Sequence, residues 1–512
     1  MRLILLPARS PVFALAGLLG LASCAVGPNF HRPAAPQAAS YTPTPLPAHT
    51  VAPGGMAGSA QYFDPGQAIP ADWWTLFHSP QLNSLIAAAF AHNPTLAAAQ
   101  DALLQARDTA RAGQGAYLPS LSGSFTGERE RISGASAAQT GSSTAAGRAG
   151  ASISPFDLYN ASVSVSYTLD LFGGVRRQVE SLQAQAEYQR FLLEASYLSL
   201  TTNLVTAAVT EASLNAQIDA TNQIIKIETG QLDILKKQVA LGGVAQASVL
   251  SQQATLASAM ATLPPLQSQL AQERNQIAAY VGALPADFHE ADFKLADLHL
   301  PEHLPVSLPS ALVEQRPDIQ EYSALLHQAS ANVGVATANM LPQVTLSASY
   351  GQDALQIGKL FTPQSLIWSL VAGITQPIFE GGTLTFKRRA AIAALHQAGA
   401  QYQETVITAF QNVSDTLEAL QYDALTVQAE QQAAAAAASS LHVAEAQYRL
   451  GGVPYTQVLS DQQTYQTALV NEAKAEATRY TDTAALFQAL GGGWWQRDDV
   501  SQQVTHCCGI LP

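Results

Sequence analysis

Apolar and polar positions alternate strictly in four short stretches of this 512-residue chain. Leu121, Gly123 and Phe125 interleave with Ser120, Ser122, Ser124 and Thr126, and Val163, Val165, Tyr167 and Leu169 interleave with Ser162, Ser164, Ser166 and Thr168. Further on, Val344, Leu346, Ala348 and Tyr350 alternate with Thr345, Ser347 and Ser349, while Leu366, Trp368, Leu370, Ala372 and Ile374 alternate with polar or small residues. A period of two predicts β-strands of about ten residues, apolar on one face and small-polar on the other. The pattern suits a transmembrane barrel strand, with lipid outside and water inside. A strand buried in a sandwich would alternate similarly. Four strands cannot close a barrel, and open sheet edges are not tolerated in lipid. If these strands span a membrane, several chains must share one barrel, and three chains would supply twelve strands. The Gly-, Ser- and Ala-rich run from Gly134 to Ser152 joins the first two strands and reads as an external loop, with a shorter counterpart near Gly358.

Between the strand pairs the period changes to that of a helix. No proline occurs from about Val175 to Leu241, a stretch that would make roughly 100 Å of helix. A matching stretch runs from about Leu384 to Leu450. Along it Tyr402, Val406, Phe410, Val413, Leu417, Leu420, Ala424 and Val427 step by three or four, as Leu193, Tyr197, Leu200, Leu204, Ala207, Leu214 and Ile218 do in the first stretch. A stripe sustained over this length predicts a coiled-coil seam. Each stretch ends on a glycine pair, Gly242-Gly243 and Gly451-Gly452, which allows a tight turn into a returning helix. Pro264-Pro265 is expected to kink the first returning helix.

The two stretches are copies of one plan. Leu241-Gly242-Gly243-Val244 followed by Val249-Leu250-Ser251-Gln252-Gln253 returns as Leu450-Gly451-Gly452-Val453 followed by Val458-Leu459-Ser460-Asp461-Gln462-Gln463. The offset is 209 residues, far beyond a solenoid period. Tyr117-Leu118-Pro119 matches Met340-Leu341-Pro342, and Asn93-Pro94 matches Arg316-Pro317, at an offset of 223. The expected fold is mainly α with a β-barrel part, internally duplicated: four transmembrane strands per protomer and very long coiled-coil helices. The expected divisions are a signal peptide at 1–23, a lipidated tether at 24–70, a first repeat at 71–290, a second at 291–495 and a tail at 496–512.

Charged residues make up only 12% of the chain, and the helical stretches are rich in Ala, Gln, Ser and Thr, which favours close helix-to-helix contact over solvated faces. A net charge of −13 argues against a nucleic-acid partner. Arg2 and Arg9 precede an apolar run and the small-residue sequence Leu21-Ala22-Ser23-Cys24, the build of a secretory signal. Leu-Ala-Ser-Cys also resembles a bacterial lipobox, in which Cys24 is acylated and becomes the first mature residue; an ordinary cleavage site ahead of a cysteine is the alternative. Ala25 follows, not the Asp that retains lipoproteins at the inner membrane, which implies the outer membrane. Removing the signal takes away two arginines and no acids, leaving a formal charge of −15. The prolines at 33, 36, 43, 45, 47 and 53 predict an extended segment that buries no core, order beginning at Trp73-Trp74 and a helix running to about Gly113. Cys507 and Cys508 could chelate a metal or form a vicinal bridge, or simply sit in a loose tail; no disulfide framework follows from them.

Several short runs carry a family resemblance. They are Cys24-Ala25-Val26-Gly27-Pro28-Asn29-Phe30, Trp73-Trp74, Leu169-Asp170-Leu171-Phe172-Gly173-Gly174 and Arg316-Pro317-Asp318-Ile319. Pro377-Ile378-Phe379-Glu380-Gly381-Gly382, Tyr448-Arg449-Leu450-Gly451 and Ala489-Leu490-Gly491-Gly492-Gly493-Trp494 complete the set. In this order the chain resembles the outer-membrane factor family, the TolC- and OprM-like exit ducts of tripartite efflux pumps, and most of all its lipoprotein branch. The resemblance implies a homotrimer with a 12-strand barrel in the outer membrane and a 12-helix tunnel through the periplasm. It also implies contact with a periplasmic adaptor and, through it, an inner-membrane pump that supplies the energy. No cofactor or metal is expected.

The resemblance places adaptor contact at the helical turns, with Gly242, Gly243, Tyr448, Arg449, Gly451 and Gly452 as candidates. Tyr448 and Arg449 could equally make interhelical bonds or be plain surface. It places a periplasmic gate at Tyr455, Gln457, Leu459, Ser460 and Asp461. The family's gate carboxylate aligns with Ser460, and the acid stands one position later, at Asp461. One residue rotates a helical side chain by about 100°, so Asp461 could face a neighbouring helix or solvent instead of a pore. An enzyme is the first rival, but no G-x-x-x-x-G-K-[ST], G-x-S-x-G or H-E-x-x-H run occurs. A coiled-coil lipoprotein that only spaces the envelope would not explain four amphipathic strands. A duct for type I protein secretion remains an alternative, although the lipobox, Pro264-Pro265 and the Leu-Gly-Gly-Gly-Trp ending resemble the drug- and metal-efflux branch more.

Overall fold

The computed structural model describes residues 25–55, 58–131, 155–289 and 292–497. The expected signal peptide at 1–23, Cys24, the 134–152 run and Cys507-Cys508 lie outside them. The elements in chain order are β1 (Tyr62–Pro65), α1 (Pro80–His92), α2 (Pro94–Gln114), β2 (Ser120–Glu130), β3 (Phe156–Leu169), α3 (Gly174–Ala240) and α4 (Gln246–Val281). Then come β4 (His303–Val306), α5 (Pro309–Gln315), α6 (Pro317–Ala338), β5 (Gln343–Ala354), β6 (Leu366–Thr375), α7 (Thr383–Arg449) and α8 (Tyr455–Ala489). The duplication is therefore structural. Helices α3 and α7 each have 67 residues and start 209 positions apart, as do α4 and α8.

Two compact units divide the chain, and each draws on both sequence halves. The first comprises residues up to His31, Gln105–Ala186 and Ala324–Gly399. Its sheet has the order β2-β3-β5-β6, antiparallel throughout. The register sets Leu121, Val165, Ala348 and Leu370 in one row and Gly123, Val163, Tyr350 and Trp368 in the next on the same face. The other face is a hydroxyl ladder, with Ser122 Oγ 2.8 Å from Ser164 Oγ, Ser124 Oγ 3.0 Å from Ser162 Oγ and Ser349 Oγ 2.8 Å from Ser369 Oγ. Cross-strand pairs like these lock the register. The alternation read from sequence thus becomes one continuous apolar face, and Leu121, Trp368, Leu370 and Ile374 on it are each more than 70% exposed. Among the described residues strands β2 and β6 are the edges, paired on one side only. Among the described residues no helix is long and apolar enough to cross a membrane.

The second unit comprises Arg32–Leu104, Glu187–Ser323 and the chain from Ala400 onward. Its core gathers Trp73, Phe77, Leu204, Phe293, Tyr480 and Phe487, all buried, with Trp73 stacked on Phe487 at 5.1 Å. The expected stripes face inward: Leu193, Leu200, Leu204, Ala207 and Leu214 are buried in α3, and Val413, Leu417, Leu420, Ala424 and Val427 in α7.

Some expectations are corrected. The helix expected from Trp73 to about Gly113 is a 3-10 turn at Trp73–Phe77 and two helices broken at Asn93-Pro94. Asn93 caps α2 by accepting the Leu96 N–H at 2.9 Å. A parallel two-stranded sheet, β1 with β4, was not foreseen, because four-residue strands carrying Pro65 and Pro305 show no alternation.

The proline-rich segment is extended but does bury residues. In the first unit, Val26 donates its N–H to the Phe172 carbonyl at 3.0 Å, and Arg177 donates to the Val26 carbonyl at 3.2 Å and to Asn29 Oδ1 at 2.6 Å. Gly27 has φ +95° and lies so close to Gly334 that a Cβ would come within 2.5 Å of its Cα. In the second unit, fully buried Arg479 donates to Gln61 Oε1, Thr50 Oγ1 and the Ser59 carbonyl. Composition argued for a free segment; these polar contacts pin it instead.

Candidate functional site

The two glycine turns, both within the second unit, share the same glycine hydrogen bonds. Gly242 and Gly451 are left-handed, with φ +73° and +78°. Gly243 N–H donates to the Gln238 carbonyl at 2.8 Å and Gly242 N–H to Val239 at 3.0 Å; Gly452 and Gly451 repeat this on Gln447 and Tyr448 at the same distances. A 6→1 bond enclosing a shorter one around a left-handed residue is the Schellman termination. The glycines in each pair are not equivalent. Gly243 and Gly452 lie outside the left-handed region, and an added Cβ would make only ordinary contacts, with a carbonyl oxygen at 3.5 Å in each and with Gln447 Cβ at 3.8 Å from Gly452. Leu241 and Leu450, immediately before the left-handed residues, are each 87% exposed.

Behind the turns the hairpins pack through Leu232, Leu235, Val249, Leu441, Tyr455 and Val458. Val249 and Val458 are repeat counterparts and both are buried. Polar bonds cross this core. Tyr448 donates its hydroxyl to Gln238 Oε1 at 3.3 Å and its ring lies 5.1 Å from that of Tyr455. Tyr455, buried at 6% exposure, donates to Gln252 Oε1, and Gln252 donates to the Glu228 carbonyl at 3.0 Å. Burial raises the pKa of both phenols, so each remains a donor at neutral pH.

The sequence candidates separate accordingly. Tyr448 and Tyr455 brace the hairpins from inside. Arg449 is exposed and reaches back to the Glu445 carbonyl at 3.2 Å. Gln457 and Ser460 are exposed, and Leu459 is half-buried against the hairpin core. Asp461 accepts from Gln457 Nε2 at 3.0 Å and from Ser440 Oγ of α7 at 3.3 Å. Sequence reasoning missed Gln238, Gln252 and Glu228. The repeat held the signal for one of them, since Gln252 is the counterpart of Asp461 and is fully buried where Asp461 is not. Other motif residues hold the fold: Arg316 forks onto Asp318 and donates to the Ala489 carbonyl at 2.7 Å, at the C-terminus of α8.

Known proteins resemble this chain in sequence and fold. The chain is 28% identical to the probable efflux pump outer membrane protein TtgC of Pseudomonas putida, over 94% of this chain and 95% of that protein. It is also 28% identical to the pyoverdine export outer membrane protein OpmQ of Pseudomonas aeruginosa, over 89% and 94%. The outer-membrane channel OprN superposes with a TM-score of 0.80 at 24% identity, covering 92% of this chain and 100% of OprN. The Campylobacter jejuni CmeC outer membrane channel gives 0.81 at 21% identity, covering 94% and 98%. The family model of outer membrane efflux proteins matches residues 85–283 and 308–492. With three quarters of its length under that model, and strands, long helices and glycine turns in duplicate, the chain belongs to the outer membrane efflux protein family.

Proposed function

We propose that this chain is the outer-membrane exit duct of a tripartite efflux system. Three copies would join edge β6 to edge β2 of the next, closing a twelve-strand barrel, and their long helices would line a periplasmic passage. The chain would carry no catalytic step; an inner-membrane pump would drive transport and a periplasmic adaptor would join pump to duct. The observation that carries this reading is the four-stranded sheet with one continuous apolar face, a hydroxyl face and two unpaired edges. Such a sheet is unstable in lipid alone and stable when closed. The relatives named for efflux and export support the same reading.

The division into repeats at 71–290 and 291–495, the signal at 1–23 and acylation at Cys24 belong to the proposal. The adaptor would engage the turns at Gly242-Gly243 and Gly451-Gly452, where Leu241, Leu450 and Arg449 are exposed. Exposed Gln457 and Ser460, with Asp461, would form the polar gate, while Tyr455 and Leu459 support it from the hairpin core. Deleting the protein tests the function. The expected result is raised susceptibility to small toxic compounds, an unchanged secreted-protein profile, and co-purification of an adaptor and a pump from wild-type cells. Loss of a secreted protein with unchanged susceptibility would overturn it in favour of protein secretion.

A further inference from the structure

Glu228 lies in α3 on the hairpin-facing side, 1% exposed, and its Oε2 has no hydrogen-bond partner. Packing does not require a carboxyl there, because the repeat counterpart in α7 is Ala437, also buried. Its backbone carbonyl accepts from Gln252 of α4 within the first hairpin, and Gln252 in turn accepts from Tyr455 of α8, the bond that crosses to the second hairpin; the Glu228 carboxyl lies close enough to that phenol to act on it. Among the described residues, α4 brings neutral Gln252 to its backbone carbonyl and α8 brings the Tyr455 phenol near its carboxyl, with Tyr448 and Glu445 of α7 bearing on that phenol in turn. None is a cation that could compensate a buried carboxylate.

We propose that Glu228 is a proton-operated latch between the two hairpins of a protomer, neutral while they are packed and ionised once they part and water reaches it. The proposal rests on the exit-duct reading, in which the helical end must loosen to pass cargo, and it assigns regulation of that end to this residue. Burial raises the Glu228 pKa from 4.5 to about 7 in the packed state. A parted, hydrated Glu228 would return to the ordinary value. A carboxyl whose pKa is raised by packing favours packing in acid. The balance shifts toward parting as pH rises from about 4.5 to about 7 and is constant above that, by at most about 300-fold. Acid would seal the turns; neutral pH would release them.

Spin labels at Leu241→Cys and Leu450→Cys, on exposed residues of the two turns, report the separation. The full acylated protein, with Cys507 and Cys508 replaced by Ser, is measured by electron-electron double resonance from pH 4.5 to 8. The expected result is a longer-distance population that grows up to about pH 7 and then levels. Glu228→Gln, close to isosteric, should keep the short distance throughout. Glu228→Ala, which copies the residue at position 437, should also lose the pH dependence. An unchanging wild-type distribution, or a Glu228→Gln protein with the wild-type midpoint, overturns the latch. The distances are read without transport. A protein that conducts nothing would therefore defeat the duct reading while leaving the latch, and invariant distances in a conducting protein would defeat the latch alone.

Discussion

At the scale of single residues, backbone conformation separates glycines that look equivalent in sequence. Gly451 needs a left-handed φ of +78°, and Gly452 does not. A side chain in the left-handed region costs about 1–2 kcal/mol, so Gly451→Ala should speed amide exchange at the turn by roughly 5- to 30-fold. Gly452→Ala should leave it nearly unchanged, and hydrogen exchange of the two variants compares them directly. Arg479 makes a second residue-scale prediction. Its guanidinium binds three groups of the segment at 50–61, so Arg479→Met strands buried acceptors at a cost of about 2–4 kcal/mol. Limited proteolysis should then cut that segment first. Arg479 was not legible as an anchor, because one arginine in a helix and polar residues 420 positions away share no sequence pattern.

At the scale of elements, legibility followed periodicity. The 67-residue helices and the four long strands were readable because their patterns persist for many turns or pleats, and the repeat supplied each reading twice. The β1–β4 pair was not, because four residues joined to a strand about 240 positions away carry no pattern, and the break at Asn93-Pro94 was passed over although its signal is local, an Asn cap followed by Pro at the first helical position. Within the turns the repeat also hid a difference, since Gln252 and Asp461 share a position but only Gln252 is sealed between hairpins. The sheet's two faces yield a prediction of their own. Leu370→Arg places a cation on the apolar face and should cost about 2–4 kcal/mol near the bilayer midplane. Ser349→Arg falls on the hydroxyl face and should still assemble. Heat-modifiable mobility of membrane-inserted protein distinguishes the two: loss of the folded band for the first, retention for the second.

At the scale of the whole molecule, everything depends on how the sheet edges are satisfied. Among the described residues of one chain β2 and β6 each pair on one side only, and their apolar rows continue to the edge. In lipid such edges demand closure. Two halves in one chain with the same strand–helix–turn–helix plan make a ring of equivalent parts the natural closure, and four strands in each of three copies reach twelve. The most direct measurement is the native mass of the protein extracted from membranes in mild detergent. The account predicts a complex of three chains, dissociating only on denaturation. A stable species of one chain, folded and inserted in the membrane by itself, would contradict it.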